Sequence, residues 1–234
     1  YVHSNVYIKE EAKLMREIQA SARKFAGSEK QVFLSFTTDP YSDFNRQTKL
    51  TRRVLEILLA NKIPVSILSK GGYRVLDDLD VILKFGPNIQ VGGSLTFTDP
   101  DDSRKWERFA SLPGERFDAL KRLHDAGVRT WASMEPVIIP EQSLQIMEET
   151  HEFIDAYKIG KLNHYDKQAD KVNWEKFLID AVGIMRKYNK QFYIKKDLLR
   201  YKPIDLHLEP HETDMDYLAI PNRFNELANE NSNH

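Results

Sequence analysis

Short apolar runs separated by amphipathic stretches divide this chain into alternating helices and strands. Residues 7–25 set Ala12, Met15, Ile18, Ala22 and Phe25 near one face at helical spacing, with Gly27 as the stop. QVFLSF is short, apolar and rich in strand formers, so it reads as a buried strand. Leu50, Val54, Ile57 and Leu58 repeat at three and four residues and predict a helix from Thr48 to Asn61. IPVSILSK reads as a second strand, RVLDDLDVILKF as a helix, and IQVGGSLTF as a third strand whose paired glycines imply close backbone approach. GERFDALKRLHDAG reads as a helix stopping at Gly127, and VRTWASMEPVI as a strand broken at Pro136. SLQIMEETHEFID (helix), AYKIGKLN (strand), NWEKFLIDAVGIMRKYN (helix) and QFYIKKDLL (strand) complete the series.

Helix and strand thus alternate about six times at intervals of roughly thirty residues, the pattern of βα units around a parallel sheet. A closed or partial (β/α) barrel of the α/β class explains it best. The alternative, a doubly wound open sheet, lacks a GxGxxG at its first strand–helix junction. The division expected is a barrel over 1–202 and an irregular extension over 203–234 that packs on it and ends in the polar tail NELANENSNH.

Composition narrows the function classes. A chain of 234 residues with 41% hydrophobic and 29% charged residues suits one soluble domain, and a net charge of -1 demands neither a nucleic acid nor a membrane as partner. No window approaches the roughly 18 apolar residues of a membrane span, and the start carries no signal-peptide pattern, so a cytoplasmic protein is expected. The absence of cysteine excludes disulfides, thiolate zinc sites, a cysteine nucleophile and a thiolate-held iron–sulfur cluster within these residues.

In a parallel barrel the active site lies at the carboxyl ends of the strands. The residues following each apolar run are TTDPY, SKGG, SLTFTD, MEP and KLNHY, a rim of hydroxyls with Lys70, Glu135 and Asn163. Each also has a plain structural reading. Thr38-Asp39-Pro40 is a turn, Lys70 a loop lysine before two glycines, and Glu135 a salt-bridge or helix-dipole residue. His151 reads as a solvated helical residue, since HEF lacks the second histidine of HExxH. His207, Glu209, His211, Glu212 and Asp214 have metal-like composition without a ligand spacing, so they read as a charged tail. Trp106, Trp131 and Trp174 read as packing residues.

The rims resemble the radical SAM superfamily, and in particular its spore photoproduct lyase-like branch. TTDPY, LTRRVLEIL, VSILSK, RVLDDLD, GSLTF, ERFASLPGERFDALKRLHDAGV and MEPVIIP occur in that branch's order, covering Val32 to Pro140. KIGKLNHY and FYIKKDLL are similar to segments of phage and prophage radical SAM proteins. The resemblance implies a partial (β/α)6 TIM-like barrel whose first strand and cluster loop would lie upstream of Tyr1. It also implies two cofactors, S-adenosylmethionine (SAM) and a [4Fe-4S] cluster held by a CxxxCxxC loop. An electron donor such as flavodoxin or ferredoxin would reduce the cluster, SAM would be cleaved to a 5'-deoxyadenosyl radical, and the substrate stays open between a nucleic acid and a peptide. Position by position, Thr38 and Ser94 fall where hydroxyls contact the methionyl part of SAM, Lys70 where a lysine pairs with its carboxylate, and Glu135 beside the adenosine. Phe36 falls where the lyase carries its hydrogen-donating cysteine, which argues against that reaction. Two further readings stand beside this one: a cofactor-free barrel enzyme with Lys70 as Schiff-base nucleophile and Glu135 as proton shuttle, and a non-catalytic SAM- or nucleotide-binding module.

Overall fold

The computed structural model describes residues 10–35, 38–162, 169 and 171–226. Six strands form one parallel sheet in consecutive order: β1 (Val32–Leu34), β2 (Val65–Ser69), β3 (Ile89–Ser94), β4 (Arg129–Met134), β5 (Ala156–Ile159) and β6 (Gln191–Ile194). Because the order never reverses, every crossover advances the same way around the sheet. This is the winding of a partial TIM-like barrel and not of a doubly wound sheet.

The helices are α1 (Glu11–Lys24), α2 (Asp43–Thr48), α3 (Leu50–Ala60), α4 (Leu79–Ile82), α5 (Pro100–Trp106), α6 (Pro113–Asp125), α7 (Pro140–Thr150), α8 (Trp174–Lys187) and α9 (Lys196–Leu199). The outer face of the sheet carries Ile67, Val91, Ala132, Tyr157, Ile159 and Ile194 into the main core with the helices. Gly127 takes φ +85°, the left-handed stop expected after α6. No helix among the described residues is long and apolar enough to cross a membrane.

Three local expectations change. The helix expected over 48–61 is α3, which starts only at Leu50, and the short α2 before it was not expected; the two are separated because Lys49 adopts φ +50° and the Asn45 carboxamide accepts from the Thr51 amide at 2.9 Å. RVLDDLDVILKF is mostly 3-10 helix over Gly72–Asp78 and Leu83–Asn88. Its buried positions Gly72, Val75 and Asp78 recur every three residues, the 3-10 repeat, and the kink at Gly86-Pro87 ends it. Helix α5 was not expected, although Asp99 caps it by accepting from the Asp101 amide at 2.7 Å and Pro100 occupies its first turn.

The inner face of the sheet is layered by strand register. Leu68, Gly92, Trp131, Ala156 and Gln191 stand opposite one another across β2 to β6. Trp131 fills this row by lying on Gly92, where a Cβ would meet the indole at 2.3 Å, so the glycine is there to admit the ring. Two residues toward the carboxyl ends, the next row is Ser94, Ser133, Lys158 and Tyr193.

The amino-terminal end of the barrel is closed by the C-terminal extension. Gln90 donates to Ser66 Oγ at 3.1 Å and to the Leu218 carbonyl at 3.1 Å, and Leu218 packs in one apolar cluster with Trp131, Ala156 and Tyr193. Within the extension, Glu212 is buried and accepts from Arg186 of α8 at 3.0 and 2.6 Å. The cluster expected to be a charged tail is therefore an anchor at Glu212, and no group of three or more His, Cys, Asp or Glu among the described residues could hold a metal.

Candidate functional site

With one end covered by protein, the carboxyl ends of the strands are the face at which polar side chains converge. Two charged assemblies lie there.

The first joins β2 to β3. Lys70, one residue past β2, places its ammonium 2.9 Å from Glu107 Oε1. The other oxygen, Glu107 Oε2, accepts from Arg116 Nη2 at 2.5 Å. Arg116 is 3% exposed and also donates to the Ser94 carbonyl at 2.7 Å, to the Ser111 carbonyl at 2.7 Å and to Ser103 Oγ at 3.1 Å. Burial alone would push the Glu107 carboxyl up, but the charges of Lys70 and Arg116 outweigh it and hold the group below its ordinary value. Lys70 keeps 32% of its side chain exposed while Glu107 keeps 8%, so the lysine is the accessible end of a buried ionic chain. Its backbone is fixed as well, since the Ser111 amide donates to the Lys70 carbonyl at 2.9 Å.

Asp39 sets the approach to this assembly. Its carboxylate accepts from the Tyr41 amide at 2.8 Å, from Ser69 Oγ at 2.6 Å and from the Lys70 amide at 2.6 Å. The segment after β1 is thereby tied to the end of β2. Thr38 precedes this tie and is exposed. Phe36 and Asn163 lie outside the described residues.

The second assembly spans β4 to β6. Glu135, one residue past β4, receives the Lys195 ammonium at 2.5 Å from both carboxylate oxygens. They meet over Gly160, where a Cβ would lie 2.9 Å from Lys195 Cδ and 3.2 Å from Glu135 Cδ; glycine makes the bridge across β5 sterically available. Lys158 stands two residues earlier on the same strand. Its ammonium is half-buried, and burial first, then the charge of Lys195, pushes its pKa down.

Of the residues expected from sequence, Lys70 and Ser94 are thus brought into one hydrogen-bonded assembly through Glu107 and Arg116, while Glu135 belongs to another. The Schiff-base reading required Lys70 and Glu135 to work as a pair. The structure corrects that pairing, because Lys70 is bound to Glu107 and Glu135 to Lys195. Glu107, Arg116, Lys158, Tyr193 and Lys195 were missed. Lys158 carried the clearest signal, a charge inside an otherwise apolar four-residue strand. His151, expected to be a solvated helical residue, caps α7 and stacks on Tyr188 with ring centres 3.6 Å apart, and the Trp174 indole donates to the Ala169 carbonyl at 2.9 Å.

No family model matches the chain. Over 175 residues it is 26% identical to an uncharacterized protein of Methanocaldococcus jannaschii, an alignment covering 67% of this chain and 66% of that protein, just under two thirds of its length. Among solved structures, Streptococcus suis SuiB bound to S-adenosylmethionine superposes with a TM-score of 0.62 at 13% identity, covering 88% of this chain and 48% of SuiB. SuiB is also solved bound to its precursor peptide SuiA. A spore photoproduct lyase variant gives 0.60 at 11% identity over 77% of this chain and 66% of the lyase. A domain of a pyruvate-formate lyase-activating enzyme from Bacteroides vulgatus gives 0.50 at 11% identity, covering 70% and 98% of the two chains. These neighbours are radical SAM enzymes, and the present chain shares their fold while spanning about half the length of SuiB.

Proposed function

We propose that this chain is the barrel of a radical SAM enzyme and that it binds S-adenosylmethionine across the carboxyl ends of its strands. The observation that carries the reading is the polarity of the barrel. Its amino-terminal end is covered by the extension, and its carboxyl end gathers Lys70, Ser94 and Glu135. Likeness to the SAM-bound SuiB fold supports it, as does the ordered set of rim segments.

The donor set fits the amino-acid end of SAM. An accessible ammonium at Lys70 is suited to a carboxylate, and its ion pair with Glu107 holds it in position at the rim. Arg116 holds Glu107 on its other side, so a carboxylate ligand can share Lys70 without leaving Glu107 unpaired. Ser94 and Thr38 supply hydroxyls to the methionyl part, and Glu135 flanks the adenosine. When bound, SAM supplies the sulfonium chemistry of the reaction; the protein's part is to bind, orient and shield it.

The residues do not fit the second group. With no cysteine among 234 residues, none of them ligates a [4Fe-4S] cluster through sulfur. On this reading the cluster ligands precede Tyr1, an electron donor of the flavodoxin or ferredoxin type serves the cluster, and the substrate is a peptide or a nucleic acid. A full-length protein purified without oxygen, reduced and given SAM, is expected to release 5'-deoxyadenosine. A full-length sequence without a CxxxCxxC segment would overturn the reading.

A further inference from the structure

The Lys158 assembly is an incomplete ionic arrangement. Among the described residues Lys158 has no ion pair and no hydrogen bond, although its side chain is half-buried and its strand is flanked by β4 and β6. The two carboxylates whose charges it feels are otherwise engaged. Glu135 is held by Lys195 through both oxygens, and Asp197 accepts from the Leu198 amide at 3.0 Å. A half-buried ammonium without a partner is costly, and folded proteins retain few of them. The neighbouring groups in its register row, Ser133 and Tyr193, are neutral and mostly buried, so the row provides hydroxyls around the cation and no counter-charge.

We propose that Lys158, with Lys195 beside it, forms a subsite for a singly charged oxyanion group of the substrate, a carboxylate or a phosphodiester. Such a group supplies the charge that Lys158 lacks, and it can accept from Lys195 while that residue keeps Glu135. Glu135 then sets the selectivity: with its negative charge already bridging to Lys195, a monoanion balances the assembly and a more highly charged ligand does not. The Gly160 position lets the Glu135–Lys195 bridge cross β5 just beyond Lys158, so the three groups meet the same ligand. The geometry is that of the strand ends, and that the ligand is a substrate rests on the proposed function.

The test uses full-length protein with its lysines reductively dimethylated with 13C, titrated with acetate and with dimethyl phosphate in the absence of SAM. The Lys158 methyl resonance should shift saturably, with a half-saturation roughly tenfold below that of exposed Lys62, the equilibrium equivalent of one charge-assisted contact. Tighter binding of dimethyl phosphate assigns the group to a phosphodiester, and tighter binding of acetate to a carboxylate. The Lys195 resonance should report the same binding, weakened about tenfold in Lys158→Gln and strengthened in Glu135→Gln. If neither probe moves Lys158 at lower concentration than Lys62, the subsite is overturned. That result stands on the unmutated protein even where a variant folds poorly. Because SAM is absent from the titration, its outcome leaves the cofactor reading to its own experiment.

Discussion

The two ends of this barrel handle buried polarity in opposite ways. At the amino-terminal end each buried polar group has hydrogen-bond partners: Gln90 serves Ser66 and the Leu218 carbonyl, and its own carbonyl oxygen accepts from the Arg129 guanidinium at 3.3 Å. The extension covers this network. At the carboxyl end the groups are charged, and the balance is uneven. Glu107 is shared by two cations, Glu135 by one with a second nearby, and Lys158 has no partner among the described residues. Fully matched hydrogen-bond networks stabilise a fold cheaply, whereas uncompensated buried charge persists where a ligand completes it. On the proposed function, the difference between the ends is that between a structural seal and a binding surface.

Substitutions can break each side of that comparison. The largest effect is expected at Glu107. Glu107→Gln keeps the shape but strips the charge that compensates buried Arg116, and should cost about 3 to 5 kcal/mol in denaturant unfolding. The pH dependence follows the same logic. The folded Glu107 carboxyl titrates below its unfolded value, so its contribution is present above the unfolded value and is lost as pH falls through the folded one. The acid limb of the stability curve should flatten in the variant. At the opposite end, Gln90→Ala strands the Leu218 carbonyl and Arg129 Nε and should cost about 1 to 3 kcal/mol, without affecting ligand binding at the rim.

The smallest effect has the opposite sign. Lys158→Met should stabilise the unliganded protein by about 1 kcal/mol near neutral pH, since it removes an unpaired, half-buried cation. The folded pKa of Lys158 lies below the unfolded value, so between the two the unfolded chain holds more protons and wild-type stability rises with pH across that window. The methionine variant should lack that slope. A loss of stability in Lys158→Met would mean that the cation is satisfied and that the carboxyl end is as balanced as the other.

Much of the scaffold was readable because each strand is a short apolar run ending in a polar turn. That pattern located β1 to β6, and with them the positions of Thr38, Lys70, Ser94 and Glu135 at strand ends. What could not be read is pairing. Glu107 lies thirty-seven positions after Lys70 and meets it where α5, capped by Asp99 and opened by Pro100, brings the chain back to the rim. Lys195 reaches Glu135 across β5 only because Gly160 has no side chain, a steric fact that no propensity carries. The helix read after β2 left its type open, because apolar positions three apart fit both the α and the 3-10 period; most of it is 3-10.

The central claim is that the carboxyl end binds SAM through Lys70, and calorimetric titration of SAM into full-length protein and its Lys70→Ala variant tests it most directly. The account predicts saturable binding that weakens in the variant by on the order of 1.5 to 3 kcal/mol, the worth of one charge-assisted contact. Equal affinity in the two proteins, or no binding to either, would contradict it.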